Sequence, residues 1–205
     1  MDPVTLRSER LVLSPPDAVN DAERVFAYCQ DPLFERYLST PWPYRRVDAE
    51  YFLGEIVPSG WRLGREFIWA LRARPDGPLL GIIGAHRRRA TEPSSLDLGF
   101  WLGAPHRGQG YMAEAARTVT EWAFRVVGSD TVYWECAVGN LGSAKTARSA
   151  GFRYTGVAPA QVADRDGRHP PHWQGRRDRD RDAEAATAGS AAAASGSWPP
   201  EVAGR

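Results

Sequence analysis

The feature that most constrains this chain is a glycine-rich turn, Arg107-Gly108-Gln109-Gly110, set between a strand-like run and a long amphipathic one. The run before it, Leu96 to Leu102 (LDLGFWL), has strand chemistry. After it, Met112, Ala115, Ala116, Val119, Trp122, Ala123 and Val126 recur at helical spacing between Gly110 and Val127, and Gly128 is placed to end that helix. Glycines let a backbone approach a ligand without Cβ obstruction, and the first helical turn presents unpaired N–H groups. Those donors, the helix dipole and Arg107 together make a seat for a diphosphate. Glycine at a strand–helix turn can also serve sterics alone. The turn is not a Walker loop, because no Gly-Lys-Ser/Thr follows, and it lacks the third glycine of the dinucleotide fingerprint.

Around this turn the chain reads as one α+β domain over residues 1–182. Leu6 to Leu13 predicts a short first strand stopped at Ser14-Pro15-Pro16-Asp17, and Asp17 predicts the cap of a helix reaching about Cys29. Asp48 opens a second helical stretch through Tyr51, Phe52, Glu55 and Ile56, in an aromatic-rich region expected to border a cleft. Tyr37, Trp42, Tyr44, Tyr51 and Trp61 belong to that region, most of them as packing residues. Glu66 to Ala73 and Leu79 to His86 are strand-like and joined by a Pro75-Asp76-Gly77 turn. With Leu96 to Leu102 they predict three consecutive antiparallel strands. Thr131 to Val138, a short helix from Ser143 to Ser149, and a further strand after Gly151-Phe152 complete the pattern. Residues 183–205, rich in Ala, Gly and Ser, predict disorder.

Composition narrows the function. A net charge of +1 implies no polyanionic partner. The arginine runs Arg87-Arg88-Arg89 and Arg176 to Arg181 raise RNA binding as a rival, but Asp178, Asp180 and Asp182 offset the second and the first reads as a strand end. Arg88 and its neighbours could instead meet a nucleotide phosphate. Cys29 and Cys136 stand in unlike contexts and read as buried free thiols rather than a disulfide. His86, His106, His169 and His172 have no metal-ligand spacing, so no metal is expected; His106, beside the turn, reads as an exposed loop residue or a cofactor contact. With neither a signal-peptide pattern at Met1 to Arg7 nor an apolar run of spanning length, a cytoplasmic setting without membrane contact is expected.

The segment FWLGAPHRGQGYMAEAA, Phe100 to Ala116, resembles the acetyl-CoA-binding motif of the GNAT superfamily, especially the ribosomal-protein N-terminal acetyltransferases RimJ and RimL. Met112 occupies the motif's final small position, a departure that subfamily shares. A second segment, ECAVGNLGSAKTARSAGF, Glu135 to Phe152, is similar to the family's strand, Asn-x-x-Ser, short helix and Gly-Phe ending. The resemblance, looser from Leu6 to Arg181, includes the opening Leu-Arg-Ser-Glu-Arg-Leu-Val-Leu.

It implies a single GNAT domain with a mainly antiparallel central sheet, a splayed parallel pair and flanking helices, and acetyl-CoA as donor. It places the pantetheine against Phe100, Trp101 and Leu102, with a backbone N–H near Leu102 polarising the thioester. The diphosphate then falls on Arg107, Gly108, Gln109, Gly110, Tyr111 and Met112, and Asn140 and Ser143 lie beside the thiol. The tyrosine many relatives use as acid is Ala147 here, which passes that role to Ser143, a residue otherwise read as a helix N-cap. Asp97 and Glu135 are the candidate bases, with a relaying water as alternative. The implied acceptor is a primary amine: a protein N-terminus, or a small molecule such as an antibiotic or polyamine. A non-catalytic acyl-CoA-binding module is the rival, and a homodimer is compatible with either.

Overall fold

The structure, a computed structural model, describes residues 1–87, 91–181 and 197–204. Strands β1 (Leu6–Arg7), β2 (Val12–Ser14), β3 (Glu66–Arg72), β4 (Gly81–His86), β5 (Ser95–Leu102), β6 (Thr131–Ala137), β7 (Arg153–Pro159) and β8 (Pro171–Asp178) form one sheet in the order β1-β2-β3-β4-β5-β6-β8-β7. The three consecutive antiparallel strands expected from sequence are β3, β4 and β5. The β5–β6 pair is parallel, and the helix between them supplies the crossover such a pair requires.

Helices α1 (Ala22–Tyr28), α2 (Pro32–Tyr37), α3 (Arg46–Tyr51) and α4 (Val57–Leu63) lie between β2 and β3, with a π-helical turn at Phe52–Ile56 joining the last two. Asp31 starts α2 by accepting the Leu33 N–H, with Pro32 where its missing donor costs nothing. Asp48 sits on the third residue of α3 and accepts the Arg45 N–H, so it closes the start of the helix it was expected to open. Helix α5 (Tyr111–Trp122) runs into a second π turn at Ala123–Val127 and ends at Gly128 in the left-handed conformation. Helix α6 (Leu141–Ser149) follows β6.

One face of the sheet is closed by an aromatic cluster. Trp61 of α4 and Trp122 of α5 each meet both Phe67 and Trp69 of β3 edge to face, with centroids 4.9 to 5.1 Å apart. Such pairs add about 0.5–1.5 kcal/mol each to the burial of the rings. The cluster fixes α5, and with it the glycine loop, against the sheet.

Three sequence expectations change. Leu6 to Leu13 is two strands, because the chain turns at Ser8, whose N–H donates to the Leu11 carbonyl. The turn faces Glu114, a partner distant in sequence. Asp17 caps a turn, accepting the Val19 and Asn20 N–H groups, and α1 begins only at Ala22. The disorder expected for 183–205 does not hold for 197–204: Trp198 and Val202 are buried, and a short helix α7 (Pro200–Ala203) docks on α6. Residues 183–196 and 205 lie outside the described residues.

Candidate active site

Strands β5 and β6 pair only from Ser95 to Leu98 against Thr131 to Trp134. Beyond that, Gly99 to Leu102 stay paired to β4 and Glu135 to Ala137 to β8, so the sheet opens between them. The Gly103 N–H donates to Leu80 O on the β4 side. Backbone groups alternate sides along a strand, so those of Phe100 and Leu102 face the opening. The Leu102 carbonyl is taken by Arg107 Nε at 3.1 Å, which leaves its N–H as the donor on offer.

Two cavities meet at this opening. One, of about 400 Å³, runs from Gly108 and Met112 past Phe100, Trp101 and Leu102 to Asn140 and Ser143, roofed by Leu33, Phe34, Tyr37 and Leu38 of the α2 region. At its outer end Gly108 and Gly110 both have positive φ, 77° and 78°, and nothing lies within 4 Å of a Cβ placed on Gly108. An extended thioester arm with an anionic end fits this shape: backbone donors along one wall and the start of α5 at the mouth. The other cavity, of about 550 Å³, lies over Asp97, Gly99, Glu135 and Cys136. Tyr37, Leu38, Phe100, Asn140 and Ser143 line both.

At the junction Asn140 caps α6 by accepting the Ser143 N–H at 3.2 Å, so the cap is Asn140 and not Ser143. Ser143 Oγ instead accepts the Trp134 indole N–H at 3.1 Å, while its own hydrogen has the Cys136 sulfur, at the junction, as a partner. Tyr37 spans the opening from α2 and donates to Gly139 O at 3.2 Å. Burial pushes the Cys136 thiol up to about 12, outweighing a hydrogen bond with Ser143 that lowers it, so this sulfur stays protonated near neutral pH. Asp97 is 6% exposed and pairs in register with His86. Glu135 accepts the Gln161 N–H at 2.9 Å and Gln174 Nε2 at 3.2 Å, so it also anchors the loop after β7.

Residues 10–153, well over half of the chain, match the family described as the Acetyltransferase (GNAT) domain. The chain belongs to the GNAT acetyltransferase family. GNAT domains take acetyl-CoA as acyl donor, the cofactor expected from the sequence. A curated relative, the Probable N-acetyltransferase YjcK of Bacillus subtilis (strain 168), is 27% identical over 97 residues, 47% of this chain and 54% of that protein. The match thus spans about half the length of the curated relative. Among solved structures, the RimL ribosomal L7/L12 α-N-protein acetyltransferase in complex with coenzyme A is similar at TM-score 0.72 and 16% identity, covering 86% of this chain and 99% of that one. Mycobacterium smegmatis RimJ is similar at TM-score 0.71 and 17% identity, covering 91% and 93%. The microcin C7 self-immunity acetyltransferase MccE, in complex with acetyl-CoA and AMP, is similar at TM-score 0.69 and 19% identity, covering 83% and 93%. At these identities the likeness is one of fold.

Of the cofactor residues expected for this GNAT domain, Phe100, Trp101, Leu102, Arg107, Gly108, Met112, Asn140 and Ser143 line the first cavity, while Gln109, Gly110 and Tyr111 stand at the start of α5 just outside that lining. Asp97 and Glu135 line the other cavity. Arg107 also donates to Leu102 O and pairs with Asp31 at 2.8 Å, tying the loop to β5 and α2. A cation passed over in the sequence, Arg10, lies against the loop and donates to Gln109 O at 3.0 Å. His106 lies 2.8 Å from the Tyr28 hydroxyl, and burial, then Arg24, lowers its pKa. Arg87 donates to Gly64 O and Pro93 O, whereas the Arg88 and Arg89 readings lie outside the described residues. Among the described residues no group of three or more His, Cys, Asp or Glu is placed to hold a metal, and no helix is long and apolar enough to cross a membrane.

Proposed function

We propose that this GNAT domain transfers the acetyl group of acetyl-CoA directly to a primary amine, and that a protein N-terminus is the acceptor. The observation that carries the reading is the meeting of two cavities at Phe100, Asn140 and Ser143, where the sheet opens. The donor supplies a thioester whose carbonyl carbon the amine attacks. In this reading Gly108 to Met112 hold the diphosphate, and the backbone of Phe100 and Leu102 aligns the arm. The Leu102 N–H, which faces the opening, would donate to the thioester oxygen and stabilise the negative charge formed there. Asp97, directly or through a water, takes the ammonium proton; Ser143 donates a hydrogen bond to the departing sulfur and relays to it the second proton released by the attacking nitrogen, which restores the hydroxyl. A protonated Cys136 is a poor nucleophile, which favours direct transfer over an acyl-enzyme.

A protein acceptor is favoured by the acceptor cavity's volume of about 550 Å³ and by the charged groups in its lining, among them Arg36, Asp164, Asp166 and Arg168. Ribosomal L7/L12 is the protein named for RimL. Calorimetric titration with acetyl-CoA tests the donor, using Gly110→Trp as the variant whose bulk obstructs the loop. Binding by wild type and its loss in a folded variant are expected; no binding by folded wild type overturns the reading. A free-thiol assay against N-terminal peptides and polyamines then tests the acceptor, and turnover with polyamines alone would reject the protein acceptor.

A further inference from the structure

Glu114 occupies the fourth position of α5 and is 7% exposed, one turn from the glycine loop. A bare carboxylate there opposes any anion bound at the start of the helix. Three donors from the β1–β2 hairpin meet it: Ser8 Oγ at 2.6 Å, the Arg10 N–H at 2.8 Å and Arg10 Nε at 2.7 Å. Burial alone would raise the Glu114 carboxyl, but these bonds outweigh it and hold the group below the usual carboxylate range. Ionised Glu114 therefore needs its partner.

The rest of the guanidinium is turned to the loop. Arg10 Nη1 donates to Gln109 O at 3.0 Å, and the group lies 5.0 Å from the centroid of the Tyr111 ring. In a trans peptide the C=O and the following N–H point in opposite directions. Holding the Gln109 carbonyl toward the hairpin thus turns the Gly110 N–H the other way. Arg10 Nη2 stands 3.4 Å from where a Cβ on Gly110 would lie, and the side chain is 46% exposed. One arginine joins a buried carboxylate, a loop carbonyl and open solvent beside the loop.

We propose that Arg10 is the positioning residue of the phosphate loop, neutralising Glu114, orienting the Gln109–Gly110 peptide and offering a cation to the diphosphate of the donor. The proposal rests on the reading of this loop as the acetyl-CoA site. Its signature is selectivity for a donor that carries the diphosphate, which a purely structural arginine would not give.

The test is the ratio of dissociation constants for acetyl-CoA and acetyl-pantetheine, which share the thioester arm and differ in the diphosphate and nucleoside. The ratio does not depend on the fraction of protein folded. It is measured by calorimetry on the full chain for wild type, Arg10→Ala and the double variant Arg10→Ala/Glu114→Gln. Arg10→Ala is expected to erode the preference for acetyl-CoA by about tenfold or more. Adding Glu114→Gln removes the exposed repulsion and is expected to recover at least about threefold of it. An unchanged ratio in Arg10→Ala overturns the proposal, and no recovery in the double variant overturns the neutralising role. Failure of wild type itself to bind acetyl-CoA would instead overturn the donor reading.

Discussion

Single donors decide much of the junction chemistry. An indole has one N–H, and Trp134 gives it to Ser143 Oγ. Trp134→Phe keeps most of the packing and frees the serine to rotate. We expect kcat to fall about three- to tenfold with KM for acetyl-CoA within twofold, and stability to fall by about 1 kcal/mol. Steady-state kinetics checks this; an unchanged kcat would remove Ser143 orientation from the mechanism. Glu114 gives a second expectation. Its folded pKa is depressed, so its contribution to stability is complete above the unfolded glutamate value, about 4.3, and is lost as pH falls through the lower folded value. The stability gap between wild type and Glu114→Gln, from urea midpoints, should therefore close on acidification below about pH 4. Sequence could not show these partners: Ser8 and Arg10 lie 106 and 104 positions from Glu114, and no local pattern signals such a pairing.

Elements were more legible where one periodicity ran without interruption. The helix after Gly110 and the β3–β5 meander carry their spacing in contiguous residues, so propensity and tertiary structure agree. The β1–β2 hairpin was read as one strand because its break is set by distant Glu114 rather than by turn residues. Close approach between strands was equally hidden. A Cβ on Gly81 would stand 2.3 Å from Trp101 O and 2.9 Å from Leu102 Cα, so β4 and β5 meet there only because the residue is glycine. Gly81→Ala should cost about 1–3 kcal/mol and, by shifting the strand end that carries Leu102, weaken acetyl-CoA binding. Arg165, from the loop between β7 and β8, clamps the end of α2. It donates to the carbonyls of Phe34, Glu35, Leu38 and Thr40 at 2.6 to 3.0 Å, where a helix end favours a cation. Arg165 itself lines the second cavity, so Arg165→Ala is expected to raise the KM of the acceptor about fivefold or more and to raise the dissociation constant of acetyl-CoA by clearly less. Parallel losses on both sides of the opening would show that the clamp supports the whole α2 region and not the acceptor cavity alone.

At the scale of the molecule, composition misread residues 197–204, where two buried side chains suffice because the surface they meet is already folded. The Trp198 ring centroid lies 5.7 Å from that of Trp134 and 5.4 Å from that of Tyr154; Val202 is buried and its carbonyl accepts Arg148 Nη1 at 3.0 Å. Burying one Trp and one Val is worth roughly 1.5–3 kcal/mol each, and ordering so few residues offsets part of it. A docked segment differs from a core element in one respect: it can let go. The loss caused by any substitution within it is therefore limited by the free energy of docking, since the detached state is always accessible. Trp198→Ala should cost about 2 kcal/mol, and truncation after residue 196 about the same, whereas Trp122→Ala, inside the aromatic cluster, should cost about 3–5 kcal/mol. Urea unfolding of the three variants checks the ordering. If truncation costs clearly more than Trp198→Ala, the carbonyl contacts of α7 with Arg148 hold the segment without the indole, and docking is shared between helix and ring.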